Sequence, residues 1–239
     1  MTRLPGLPTW VIGGYLGAGK TSLINHLLRH AGQRIAVLVN DFGDLDIDAD
    51  LIEGQDGSVI SLAGGCVCCS FGSDLVGSLI ELTQRAPPPQ LLLIETSGVA
   101  LPAAVARSAR LAPGIELRAV VVVADAACLR ERAADPYVGD TVRQQLQDAD
   151  LLLLNKCDLA SAGQVQALRD WLAGQVPQTP VLALHGAQLP PAVLLDLHAS
   201  DLSGPEAGAA RFADQPLGAA APPASALFET RALQLARPA

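Results

Sequence analysis

The chain has 239 residues, half of them hydrophobic and 17% charged, with 24 acidic against 16 basic side chains and a net charge of −8. That length suits one α/β domain whose core, burying roughly 70–75% of the unfolded surface, needs no staples. The acidic balance excludes a nucleic-acid binder, which needs a basic stripe to release counterions. Apolar runs short of the roughly 20 residues of a membrane helix, and an opening MTRLPGLPTW without a signal-peptide layout, predict a cytoplasmic protein with no membrane partner.

In chain order, apolar runs occur at Trp10–Ile12, Ile35–Val39, Val59–Leu62, Leu91–Ile94, Ala119–Val123, Leu151–Leu154 and Val181–Leu184. They are continuous rather than alternating, the signature of strands buried on both faces. Between them, Thr21–Arg29, Asp74–Gln84, Ala103–Arg110, Thr141–Gln147 and Gln164–Ala173 carry helical periodicity. Strands alternating with helices predict an α/β fold with a doubly wound, mainly parallel sheet. From about Ser200 the composition turns to Ala, Gly and Pro. Residues 199–239 are expected to be a poorly ordered linker ending in one further strand near Leu227–Leu235.

The first strand runs into Gly13-Gly14-Tyr15-Leu16-Gly17-Ala18-Gly19-Lys20-Thr21, which matches G-x-x-x-x-G-K-[ST] from Gly14 to Thr21. Backbone N–H groups of Gly14, Gly17, Ala18 and Gly19 are expected to cradle phosphate oxygens at a helix N-terminus, with Ser22 in the same first turn. Lys20 would bridge the β- and γ-phosphates, and Thr21 would offer its hydroxyl to Mg²⁺.

Leu151–Leu154 leads into Asn155-Lys156-Cys157-Asp158. Placed after a phosphate loop, this N-K-x-D tetrad reads a base: the Asp158 carboxylate accepts from guanine N1–H and the 2-amino group, which adenine does not offer. Asn155 braces the loop, and the stem of Lys156 lies along the base. The chain has only two lysines, and both fall in these two motifs. GTP is therefore expected over ATP. A P-loop small-molecule kinase is disfavoured by this loop and by the thiols described next.

Cys66, Cys68 and Cys69 follow a Gly64–Gly65 hinge. Three thiols within four residues suit Zn²⁺ or another thiophilic ion such as Co²⁺, and a following helix N-terminus would favour thiolates. Buried structural cysteines and a redox couple are the alternatives, whereas Cys128 and Cys157 read as small core residues. Of the acidic residues between 41 and 50, Asp41 leaves a buried strand and is placed to face Mg²⁺ or a second metal; Asp46 and Asp50 read as solvated. At Glu95-Thr96-Ser97-Gly98, Glu95 is expected near Mg²⁺ or the attacking water, and the Gly98 N–H near the γ-phosphate.

With these residues in view, the chain resembles the CobW family of P-loop GTPases, related to the nickel-insertion GTPases of urease and hydrogenase. The resemblance rests on GGYLGAGKT at 13–21, NDFGDLDID at 40–48, GGCVCC at 64–69, ETSG at 95–98 and NKCD at 155–158, in the family's order, and covers roughly residues 8–198. It implies a SIMIBI-type GTPase domain over 8–198. It also implies hydrolysis of GTP to GDP and phosphate with Lys20, Glu95 and Asp41 in catalytic roles, and a metal site of Thr21, Asp41, Cys66, Cys68 and Cys69. The implied partners are GTP, a transition metal, a client metalloprotein that receives it, and a second copy in a homodimer. The alternative is a GTP-gated metal sensor with little turnover. Two departures stand out: Asp41 replaces the glutamate of the family's N-E-F-G, and of the family's further C-terminal domain only a remnant is expected within 199–239.

Overall fold

The computed structural model describes residues 6–40, 59–61 and 73–196. Seven strands form one sheet: β1 (Leu7–Gly13), β2 (Ile35–Asn40), β3 (Val59–Ser61), β4 (Leu91–Thr96), β5 (Ile115–Asp125), β6 (Leu151–Asn155) and β7 (Val181–Ala183). The order across the sheet is β3-β2-β4-β1-β5-β6-β7, and every pairing is parallel. All seven expected strands are present. The fifth begins four residues earlier than its apolar run, because Ile115–Arg118 is only partly covered and its pattern is mixed.

The helices are α1 (Lys20–His30), α2 (Ser73–Thr83), α3 (Pro102–Arg110), α4 (Leu129–Ala134), α5 (Gly139–Asp148), α6 (Ala162–Gln175) and α7 (Pro191–Asp196). Five match the expected segments. The other two, α4 and α7, are six residues each, less than two turns, so no 3.6-residue period can develop in them. The first two residues of α6 lie ahead of the expected start at Gln164. Ser161 caps it: the Ser161 hydroxyl accepts from the Gln164 N–H while the Gln164 side chain accepts from the Ser161 N–H, a capping box that offsets weak helix formers at Ala162-Gly163.

Alternate strand residues feed two cores, as a period of two demands. On one face Val11, Leu92, Ile94, Val120, Val122, Leu152 and Leu154 pack beneath α2, α3, α5 and α6. On the other, Trp10, Ile12, Val37, Leu93, Val121 and Leu153 pack beneath Leu23, Ile24 and Leu27 of α1 and Leu194 of α7. The doubly wound class is thus observed directly. Asp150 sets the start of β6: its carboxylate accepts from the Val120 N–H at 2.9 Å while its own N–H donates to the Val120 carbonyl at 2.9 Å.

Because every strand is parallel, the carboxyl ends of β1, β4, β5 and β6 share one edge. Glu95 is level with Ile12, and Asn155 with Asp125. The chain leaves the central β1 toward β2 on one side and later crosses to β5 on the other, so a crevice opens at this edge, where ligands bind in such sheets. Among the described residues no helix is long and apolar enough to cross a membrane.

Candidate functional site

The loop between β1 and α1 carries the phosphate motif. Gly19, the residue before α1, has φ of 102°, and a Cβ there would lie 2.4 Å from the Asn155 Nδ2. Only glycine satisfies both the left-handed backbone and that close approach. Lys20 opens the helix as a buried residue, and its ammonium donates to the Gly14 carbonyl at 3.0 Å. The lysine thus spans the loop, holding positive charge where phosphate would lie, while the Ala18 N–H donates within the loop to the Tyr15 carbonyl at 3.2 Å. The helix dipole adds to that charge.

In the first turn of α1, the Thr21 hydroxyl donates to Glu95 Oε1 at 2.9 Å. Glu95 is only 2% exposed, at the end of β4. Two residues from positions 74 apart in sequence therefore meet as a hydroxyl and a carboxylate, the hard oxygen donors that Mg²⁺ prefers. Next in the chain, Gly98 packs against the phosphate loop so tightly that a Cβ would sit 2.5 Å from Leu16 Cδ2 and 2.8 Å from the Leu16 backbone nitrogen.

The Asn155–Asp158 loop is tied to the same place. Asn155, 2% exposed, donates from Nδ2 to the Ala18 carbonyl at 3.0 Å and accepts at Oδ1 from the Ala187 N–H at 2.8 Å. It thereby links the phosphate loop, the end of β6 and the loop after β7. Lys156 adopts φ of 60°, and its ammonium pairs with Asp125 Oδ2 at 2.7 Å. Asp158 is exposed, with Oδ1 accepting from the Gly186 N–H at 3.3 Å. Its carboxylate is available to a base at the rim.

The structure therefore brings together Gly14, Gly17, Ala18, Gly19, Lys20, Thr21, Ser22, Glu95, Gly98, Asn155, Lys156 and Asp158 at one edge of the sheet. Asp41, Cys66, Cys68, Cys69 and residues 199–239 lie outside the described residues. Of the remaining thiols, Cys157 is buried as expected, and burial pushes its pKa up. Cys128 departs from expectation. It is half-buried beside Asp125 and lines a small apolar cavity of about 20 Å³ with Tyr15, Leu129 and Leu146. Burial, then the Asp125 charge, raises its pKa, so both thiols stay protonated at neutral pH.

Five residues that brace the site were missed by sequence reading. Gln145 of α5, 1% exposed, donates from its amide to the Gly98 carbonyl at 3.0 Å and the Ala100 carbonyl at 2.8 Å. Asp148, one turn on, accepts from the Ala103 N–H at the start of α3 at 3.1 Å. The segment after β4 is thereby gripped from the opposite side of the phosphate loop. Asp125 anchors Lys156, and the Gly186–Ala187 turn supplies the amides that hold Asp158 and Asn155. Only Gly186, just past the last apolar run, left a trace in the sequence. Gln145 and Asp148 are polar residues whose burial cannot be read from a helical pattern.

Residues 8–183 match the model of the CobW/HypB/UreG nucleotide-binding domain. The chain is 32% identical over 221 residues to the zinc chaperone CobW of a Sinorhizobium species, covering 80% of this chain and 62% of that protein. It is 29% identical over 225 residues to zinc-regulated GTPase metalloprotein activator 1 of Dictyostelium discoideum, covering 77% of this chain and 47% of the relative. The chain thus spans about half to three-fifths of the length of these two relatives. Among solved structures, Zn(II)-bound YjiA GTPase from Escherichia coli superposes with a TM-score of 0.56 at 24% identity, over 74% of this chain and 57% of that one.

Proposed function

The chain belongs to the CobW/HypB/UreG nucleotide-binding family, and from that premise we propose that it binds and hydrolyses GTP and couples the nucleotide state to transport of a transition metal, zinc first among the candidates. The observation that carries this reading is the convergence of Lys20, the Thr21–Glu95 pair, Gly98 and the Asn155–Asp158 loop on one edge of the sheet.

In this reading the Lys20 ammonium exchanges the Gly14 carbonyl for β- and γ-phosphate oxygens. The loop amides take the remaining phosphate oxygens. Asp158 accepts from the guanine edge, while Asn155 keeps its loop in register with the phosphate loop. Thr21 and Glu95 would hold Mg²⁺, which supplies charge neutralisation between the β- and γ-phosphates. Catalysis rests on positioning and electrostatics, with Lys20 fixed beside the developing charge and Glu95 and Asp41 near the attacking water.

Zinc is cargo here, with Cys66, Cys68 and Cys69 as the proposed thiolate ligands and Asp41 as an additional carboxylate. The names of the relatives and the C-x-C-C spacing support this assignment. Delivery to a client metalloprotein is the proposed outcome of hydrolysis. Linkage then requires GTP to tighten zinc by the factor with which zinc tightens GTP. Zinc affinity measured with a non-hydrolysable GTP analogue and again with GDP tests this: we expect at least tenfold tighter binding with the analogue. Equal affinities would leave a GTPase without the chaperone cycle.

A further inference from the structure

Toward the amino ends of β1, β4 and β5, opposite the nucleotide edge, a cavity of about 230 Å³ opens on the face that α1 covers. Trp10, Leu91 and Leu194 give it apolar walls, and Gln33, Gln90 and Arg118 are its polar lining. A water takes up roughly 30 Å³ in the liquid, so the space admits a small organic molecule.

Arg118 reaches this cavity through a break in strand register. Thr9 of β1 is level with Leu117 of β5, yet Trp10 is level with Ala119. Residues 117 and 119 of a regular strand would share a face. Here Leu117 packs in one core and Ala119 in the other, so Arg118 is the extra residue of a bulge and joins the face of Trp10. Such bulges are rare between parallel strands, and they re-aim a side chain. The Arg118 side chain is 27% exposed and pairs through Nη2 with Glu116 Oε1 at 3.2 Å, which leaves other guanidinium N–H groups to donate.

Gln33, in the turn between α1 and β2, has a buried Nε2 with no hydrogen-bond partner. A buried donor without an acceptor costs stability. Gln90 is fixed from behind: its Oε1 accepts from the Arg34 N–H at 3.1 Å, and its own N–H donates to the Arg34 carbonyl at 2.8 Å. The Arg34 Nε donates to the Pro88 carbonyl at 3.0 Å, so Arg118 is the cation of the cavity lining. The polar lining offers N–H donors and one positive charge against apolar walls.

We propose that this cavity binds a small organic monocarboxylate. Its carboxylate accepts from the Arg118 guanidinium and the Gln33 amide, and its apolar body lies against Trp10, Leu91 and Leu194. Guanidinium–carboxylate pairs are among the strong hydrogen bonds, and Gln33 gains the acceptor it lacks. Glu116 already offsets part of the Arg118 charge, so one negative charge suits the site and a phosphate dianion does not.

The test is titration of the full chain with benzoate, followed by NMR of side-chain N–H groups. The chain has two tryptophans, and Trp171 packs against the opposite core, which makes it an internal control. We expect saturable movement of the Trp10 indole and Gln33 amide signals while Trp171 stays still. Benzyl alcohol should bind at least tenfold more weakly, and Arg118→Met should weaken benzoate at least tenfold. Gln33→Met should weaken benzoate several-fold yet raise the thermal midpoint of the unliganded chain, because it removes the orphaned donor. A residue serving only the fold would lower that midpoint. Benzyl alcohol binding as tightly as benzoate, displacement of benzoate by inorganic phosphate, or no saturable shift at Trp10 would each overturn the site. These three readouts use the unaltered chain, so they stand even where Arg118→Met folds poorly. None involves the nucleotide, so the proposed function is judged independently.

Discussion

The Gly14–Thr21 loop and the Asn155–Asp158 loop, proposed to hold phosphate and base, lie side by side at the sheet edge but are built differently. The first is mostly backbone: glycines, amides and one lysine folded across them. The second is side chains held by other side chains and distant amides, with Asn155 bonded to Ala18 and Ala187 and Lys156 paired with Asp125. Phosphate is recognised by charge and many equivalent N–H groups, so local backbone shape suffices. A base is recognised by one or two directed hydrogen bonds, so the reading carboxylate needs a scaffold drawn from several parts of the chain.

The comparison breaks most severely where the two regions touch. Gly19→Ala adds a left-handed backbone penalty of about 1–2 kcal/mol and drives Cβ into the Asn155 amide, costing about 1–3 kcal/mol more. We expect a lower thermal midpoint together with loss of all nucleotide binding, measured by calorimetry and by a fluorescent GDP. Binding that survives intact would mean the two loops are independent.

Asn155→Ala comes next. It leaves the buried Ala187 N–H and Ala18 carbonyl without their partner, at about 1–3 kcal/mol for each orphaned group. Guanine nucleotides should weaken more than inorganic triphosphate, because the base loop loses its brace while the phosphate amides remain. Equal weakening of both would assign Asn155 to the phosphate loop alone.

Asp158→Asn probes the exposed reading carboxylate. Losing a charged acceptor costs about 1.5–3 kcal/mol, so GTP affinity should fall roughly 10- to 100-fold, with xanthosine triphosphate now preferred. Stability should hardly change, since Asp158 is solvent-exposed with one 3.3 Å contact to Gly186. Unchanged GTP affinity would remove the guanine assignment.

Gln145→Met should give the smallest effect, about 1–2 kcal/mol. It keeps the volume and removes both donations to the segment after β4. Because Gly98 is assigned to the γ-phosphate, the GTP analogue should weaken several-fold while GDP binding holds. A uniform loss for both nucleotides would mark Gln145 as a packing residue only.

Legibility in the sequence followed the range of the interactions. The seven strands and the long helices could be placed because burial on one or both faces writes a local period into the residues. The phosphate motif was readable because its chemistry is contiguous, and Asn155–Asp158 because a second motif upstream gave it meaning. Gln145 and Asp148 were not readable: on the sequence they are polar residues in an amphipathic helix, and only packing of α5 against the end of β4 shows that they face inward. Cys128 was misread for the same reason, since half-burial beside Asp125 depends on how α4 sits against the sheet.

From the sequence alone came the parallel α/β class, the G-x-x-x-x-G-K-T segment at 14–21 and the N-K-x-D tetrad at 155–158, since each is specified by residues within one turn or one strand of another. The tertiary structure alone decided that Thr21 meets Glu95, that Asn155 joins three loops, and that Gln145 grips the Gly98 segment. Those contacts span 32 to 137 positions. They exist because a parallel sheet gathers the carboxyl ends of sequence-distant strands at one edge.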